Sequence, residues 1–164
     1  MKPIEINLKK LNENAKLPVK AHGDDFCYDV WAVSEEEIAP NVWKYSLGFS
    51  CEIKENYYPF SISNISFMSF SETNFIKSID FRPRSSVWKT GMVLSNTVGT
   101  IDFGYRGEIF AIFYHVMPNM PRYKVGDKIG QIKMGITLPI AFKFVEDINE
   151  NTERGKGGFG SSGN

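Results

Sequence analysis

Apolar residues in this chain fall in short runs, and no stretch longer than about ten residues keeps a helical period. The runs are FCYDVWAV (Phe26 to Val33), KYSLGFSCEI (Lys44 to Ile53), SIDF (Ser78 to Phe81), GEIFAIFYHV (Gly107 to Val116) and KIGQIKM (Lys128 to Met134). Each is rich in β-branched and aromatic residues, and Gly, Pro, Asn or Asp separates one from the next. That pattern predicts strands. The chain is therefore expected to be all-β, a jelly-roll-like barrel or sandwich. One short helix is expected in RPRSSVWKTG, with serines capping its start and Gly91 ending it.

The same pass divides the chain. Residues 1–150 are expected to form a single domain, interrupted at about 54–77 by a segment dense in Ser, Asn and Phe. A long loop or extended hairpin accounts for that segment, and a subunit contact is the sharper alternative. From Asn149 onward the chain reads ENTERGKGGFGSSGN, with Phe159 its one core-forming residue. Residues 151–164 are thus expected to be a mobile arm.

Composition then narrows the partners. The 164 residues carry 19 Lys and Arg against 19 Asp and Glu. A balance of zero gives no general attraction to nucleic acid or membrane, though a nucleotide needs only a few placed cations. Cys27 and Cys51 each sit in an apolar run and read as buried, reduced thiols. Together with His22 and His115 they are too few and too scattered for a zinc site. The start MKPIEINLKKLNENAK lacks the apolar core of a signal peptide, and no run is long enough to span a bilayer. A soluble, intracellular and cytoplasmic protein is expected.

Five short stretches carry candidate chemistry. Gly155, Gly157 and Gly160 fit the dinucleotide pattern G-x-G-x-x-G, but the chain ends four residues later with no helix to follow. An arm whose backbone approaches an anion, with Arg154, Phe159, Ser161 and Ser162, is the better reading; a plain disordered tail is the bland one. Arg84, Ser85 and Ser86 stand where a short helix would begin and would attract anions, or they are only a cap. In NTVGTIDFGYRGEI, Asp102 precedes a Phe103-Gly104 turn; a hairpin there would hold one carboxylate rigidly, and a simple turn aspartate is the alternative. Asp29 lies mid-strand in CYDVWA, a poor place for a carboxylate without a partner or metal. Gln131, after the Gly126-Asp127 turn, is by itself an ordinary strand glutamine.

Their order is more specific than any one of them. YDVWA, RPRSS, NTVGTIDFGYRGEI, GDKIGQI and RGKGGFGSSG resemble, in sequence, the five motifs of the trimeric dUTPase family. The resemblance runs from about Phe26 to the C-terminus, and Lys54 to Lys77 exceeds the usual connection between the first two motifs. It implies a jelly-roll homotrimer with shared active sites that hydrolyses dUTP to dUMP and pyrophosphate with Mg2+. Such an activity limits uracil in DNA and supplies dUMP for thymidylate synthesis. By matching position, Asp102 is implied to activate the attacking water, and Tyr105 to lie under the deoxyribose. Asn96, Gly99, Thr100 and Ile101 are implied to read uracil. Arg84, Ser85, Ser86 and Gln131 are implied phosphate contacts. Asp29 is implied to hold magnesium through water. Arg154, Gly157, Phe159, Ser161 and Ser162 are implied to form the closing arm, with Phe159 over the uracil.

Rival readings weaken against the same residues. The dCTP deaminases share the fold and similar motifs, but the position of their catalytic glutamate is Ile112 here. A non-catalytic nucleotide binder on this scaffold would lack Asp102 or the arm, and both are present. An unrelated interaction domain would not carry five motifs in order.

Overall fold

A computed structural model describes residues 4–54 and 76–153. Ten strands and one 3-10 helix are found among them, in three antiparallel sheets. A small sheet pairs β1 (Ile6–Lys10) with β5 (Phe49–Ile53). A second runs in the order β2 (Tyr28–Trp31), β10 (Lys128–Thr137), β6 (Ile76–Arg82), β8 (Gly99–Asp102). The third runs β3 (Ser34–Ala39), β4 (Val42–Ser46), β9 (Phe110–His115), β7 (Met92–Leu94). The all-β sandwich expected from the sequence is what forms. Among the described residues, helix content is limited to Ser85–Thr90, ended by Gly91 in the left-handed region at φ 62°.

Alternation explains which faces meet. On β6, Ile79 and Phe81 are buried while Asp80 between them is only half-buried. On β9, Ala111 and Phe113 point inward and Phe110 and Tyr114 outward. The edge-to-face contact of Phe81 with Phe113, centroids 6.4 Å apart, joins the two larger sheets, and Tyr45 and Tyr123 close around Phe113. Phe49, Cys51 and Ile53 extend this core under the small sheet.

Three expectations are corrected here. KYSLGFSCEI is not one strand: Gly48 turns at φ 75°, where an added Cβ would lie 2.8 Å from Val33 Cγ2. The chain leaves the third sheet there and enters the small one. Cys51 is buried, but Cys27 is only partly so. The expected insertion ends earlier than 77, because Ile76 and Lys77 already belong to β6; residues 55–75 lie outside the described residues.

Candidate active site

One cluster gathers around Asp29, which β2 places on its outward face yet nearly out of solvent at 7% exposure. Its register partner on β10 is Gln131, whose other neighbour is Arg82 on β6. Arg84 Nε donates to Asp29 Oδ1 at 3.1 Å, and Lys128 Nζ to Oδ2 at 2.9 Å. The mid-strand carboxylate thus has the partners that its position demands. Two cations on one anion leave this corner with a net positive charge. Gln131 Nε2 donates to the Pro83 carbonyl at 3.3 Å, tying β10 to the start of the helix. Ser85 is exposed and Ser86 half-buried directly after Arg84. Neither serine caps the helix as expected: Arg84 takes the cap position in extended backbone, with no side-chain cap hydrogen bond.

A second group sits on and after β8. The backbone turns before it, with Thr97 at φ 61° and Val98 N–H donating to the Asn96 carbonyl at 2.5 Å. Asn96 folds its amide over Gly99, where an added Cβ would lie 3.5 Å from Nδ2. Thr100 is exposed and Ile101 is packed into the core, so Ile101 offers only its backbone. Asp102 ends the strand with its side chain exposed, and has no ion pair among the described residues. Tyr105 N–H donates to the Asp102 carbonyl at 3.0 Å, which closes the expected turn. The Tyr105 hydroxyl donates to the Glu108 carbonyl at 2.9 Å, and its ring covers Gly107 so closely that any side chain there would collide. The hairpin itself does not form. β8 pairs with β6, whereas β9 pairs with β4 and β7 in the other sheet. The turn carries the chain from one sheet to the next, and Ile101 before it and Ile109 after it are both buried in the shared core.

The two groups share one face of one sheet but do not meet. Three rows cross that face: Asp29–Gln131–Arg82, then Lys133–Asp80–Thr100, then Gly135–Ser78–Asp102. The middle row is filled by an ion pair, Lys133 Nζ to Asp80 Oδ2 at 3.0 Å. Three inter-strand steps and four residues of strand separate Asp29 from Asp102, roughly 14 Å across and roughly 13 Å along. Arg154, Gly157, Phe159, Ser161 and Ser162 lie outside the described residues.

Lys128 was not legible as a site residue, since a strand lysine is ordinarily solvated. The signal that finds it is a β-bulge. Gly130 faces Val30, and strict alternation would set Ile129 opposite Trp31; instead Lys128 takes that place and the extra residue Ile129 is buried.

As for magnesium, no group of three or more His, Cys, Asp or Glu could hold an ion among the described residues. Magnesium ordinarily keeps several waters and binds few carboxylates plus substrate phosphates. Asp29, with both oxygens engaged by cations, suits contact through water rather than a direct bond.

The family model described as dUTPase matches residues 81–163. A deoxyuridine 5'-triphosphate nucleotidohydrolase of Clostridium tetani is 33% identical over 162 residues, 96% of each chain. That of Clostridioides difficile is also 33% identical, over 96% of this chain and 97% of its own. Among solved structures, a substituted dUTPase of Staphylococcus bacteriophage 80alpha with dUpNHpp superposes with a TM-score of 0.71 at 21% identity, covering 97% of this chain and 98% of that one. A dUTPase from phage phi11 of S. aureus, described with a coordinated structural Mg(II) ion, gives 0.61 at 18% identity over 88% of this chain and 99% of its own.

Proposed function

The chain belongs to the dUTPase family, whose activity is the hydrolysis of dUTP to dUMP and pyrophosphate, and from that premise we propose how its residues divide the reaction. Asp102 holds and deprotonates the water that attacks phosphorus in line. The observation that carries this is its exposed carboxylate at the end of an edge strand, beside a turn that fixes the following backbone.

Uracil is read along the outer edge of β8, whose backbone groups on that side take no part in the ladder with β6. An edge that accepts from uracil N3–H and donates to O4 meets the reverse pattern in cytosine. Buried groups left unpaired can reject a wrong base by about 10⁴-fold. Tyr105, its ring seated on Gly107 and its hydroxyl tied to Glu108, is a fixed floor for the deoxyribose with no space for a 2′-hydroxyl. Arg84, Ser85, Ser86 and Gln131 receive the phosphates at the positive corner. Asp29 would hold magnesium through its waters, and the ion would lower the charge that builds on the leaving pyrophosphate.

The sites are shared within a homotrimer. The in-chain gap between Asp102 and Asp29, roughly 14 Å across the sheet and roughly 13 Å along it, exceeds hydrogen-bond reach, and the base of one subunit serves the phosphate corner of another. The arm from Arg154 closes the site, Phe159 on the base and Arg154, Gly157, Ser161 and Ser162 at the phosphates. Deleting the chain from Arg154 is expected to leave folding intact and cut turnover by more than roughly tenfold. Full-length turnover in the truncated protein would remove the arm from this account.

Pyrophosphate release with dUTP, dTTP, dCTP and UTP tests the whole reading. Turnover confined to dUTP is expected; comparable rates on dCTP or UTP would refute the edge-strand and Tyr105 roles.

A further inference from the structure

We infer that Lys128 is a positioning residue for polyphosphate binding, acting through Asp29 on Arg84. The inference rests on the reading of the Asp29 corner as the phosphate site.

The geometry comes from the bulge. A regular β10 would turn Lys128 into the core and Ile129 out. With the extra residue in place, Ile129 is fully buried and Lys128 stands opposite Trp31, on the face that carries Asp29 and Gln131. Its ammonium lies 5.5 Å from the Trp31 ring centroid and 2.9 Å from Asp29 Oδ2, so the end of the side chain is held by two partners. Bulges are favoured next to functional sites because they re-aim one side chain.

Charge gives the reason for such a device. Arg84 and Asp29 alone make a neutral pair, and a neutral pair has little pull on a triphosphate. Lys128 takes the second carboxylate oxygen, which leaves the corner one positive charge in excess. It also fixes the plane of the carboxylate, and with it the guanidinium, whose Nε is the atom engaged. Two terminal nitrogens of Arg84 then remain for phosphate oxygens, the geometry in which arginine binds best. Lys128 therefore acts without having to touch the nucleotide.

The test measures binding of dUpNHpp by calorimetry, dUTP kinetics and the melting temperature for the full-length protein and four variants. Lys128→Met is expected to bind dUpNHpp roughly tenfold more weakly, the scale of one charge-assisted hydrogen bond. KM should rise by a similar factor with kcat nearly unchanged, and the salt dependence of binding should flatten. Lys128→Arg should restore affinity. In an Asp29→Asn background, adding Lys128→Met should cost clearly less than tenfold, since only the charge of Lys128, and no longer its hold on the carboxylate, is left to lose. Equal dUpNHpp affinity in Lys128→Met and wild type would overturn the inference, and so would a lowered melting temperature with no change in affinity. A full tenfold loss in both backgrounds would also overturn it, by making Lys128 a direct contact. If the wild-type protein itself fails to bind dUpNHpp, the phosphate-site reading falls first; if it binds and only the Lys128 results fail, that reading stands.

Discussion

Asp102 and the groups around it set the expectations at the scale of single residues. Asp102→Asn keeps the size of the side chain and its place at the end of β8, so dUpNHpp should still bind. Turnover should fall at least about 100-fold, the scale of a lost general base. Near-normal turnover would take the water-activating role away from Asp102. Buried acids make a separate claim about pH. Burial raises the pKa of Cys51, and of Tyr45 and Tyr123 likewise. A raised value in the folded state means that the fold favours the protonated form. The stability this contributes is intact below the unfolded pKa and is lost as pH rises above it. Losses should therefore begin near about 8.5 for the thiol and steepen above about 10 for the phenols. Urea midpoints that stay flat between those values and beyond would contradict the burial of these three groups.

At the level of elements, the turns fix the architecture more tightly than the strands do. Gly91 ends the 3-10 helix at φ 62°, where an added Cβ would meet Met117 Cβ at 2.7 Å and its carbonyl oxygen at 2.8 Å. Gly91→Ala should cost at least about 1 kcal/mol, or roughly 2–4 °C in melting temperature. An unchanged melting curve would show that this backbone relaxes freely. Strands with an apolar face were legible in the sequence because alternation survives in composition: β2, β6, β9 and β10 lie within or across the expected runs. Others were not. β3 reads SEEEIA and pairs through its backbone with β4, with Glu36 and Glu37 at the surface and Glu35 half-buried against Arg122, so no apolar pattern announces it. The partner of β8 was also hidden, since a turn residue looks the same whether the chain folds back or crosses to another sheet. Lys128 was hidden for a third reason: a bulge shifts the phase of alternation, and nothing in KIGQIKM marks where the extra residue falls.

For the molecule as a whole, exposed surface supports assembly. Leu138, Ile140, Phe142, Phe144, Val145 and Ile148 follow β10 with their side chains largely in water, Phe142 at 93% exposure. A single copy leaves this apolar stretch uncovered, and patches of that kind mark contact sites. Light scattering should give three times the 18.6 kDa chain; a stable, active monomer would count against the trimer. Mixing inactive Asp102→Asn with inactive Arg84→Ala subunits should regain part of the activity, because some sites then draw an intact base and an intact phosphate corner from different chains. The Asp29 corner has one more consequence, in time rather than in space. Its carboxylate and the Lys128 ammonium are separated by 99 positions along the chain. Contacts so distant in sequence form late, after the entropy of closing the intervening loop has been overcome. On a ribosome, β2 emerges long before β10, so the nascent chain carries Asp29 without Lys128 until β10 has been made. If that corner receives the phosphates, competence to bind nucleotide is acquired only once β10 has been made, and a chain released before then has no such corner to complete.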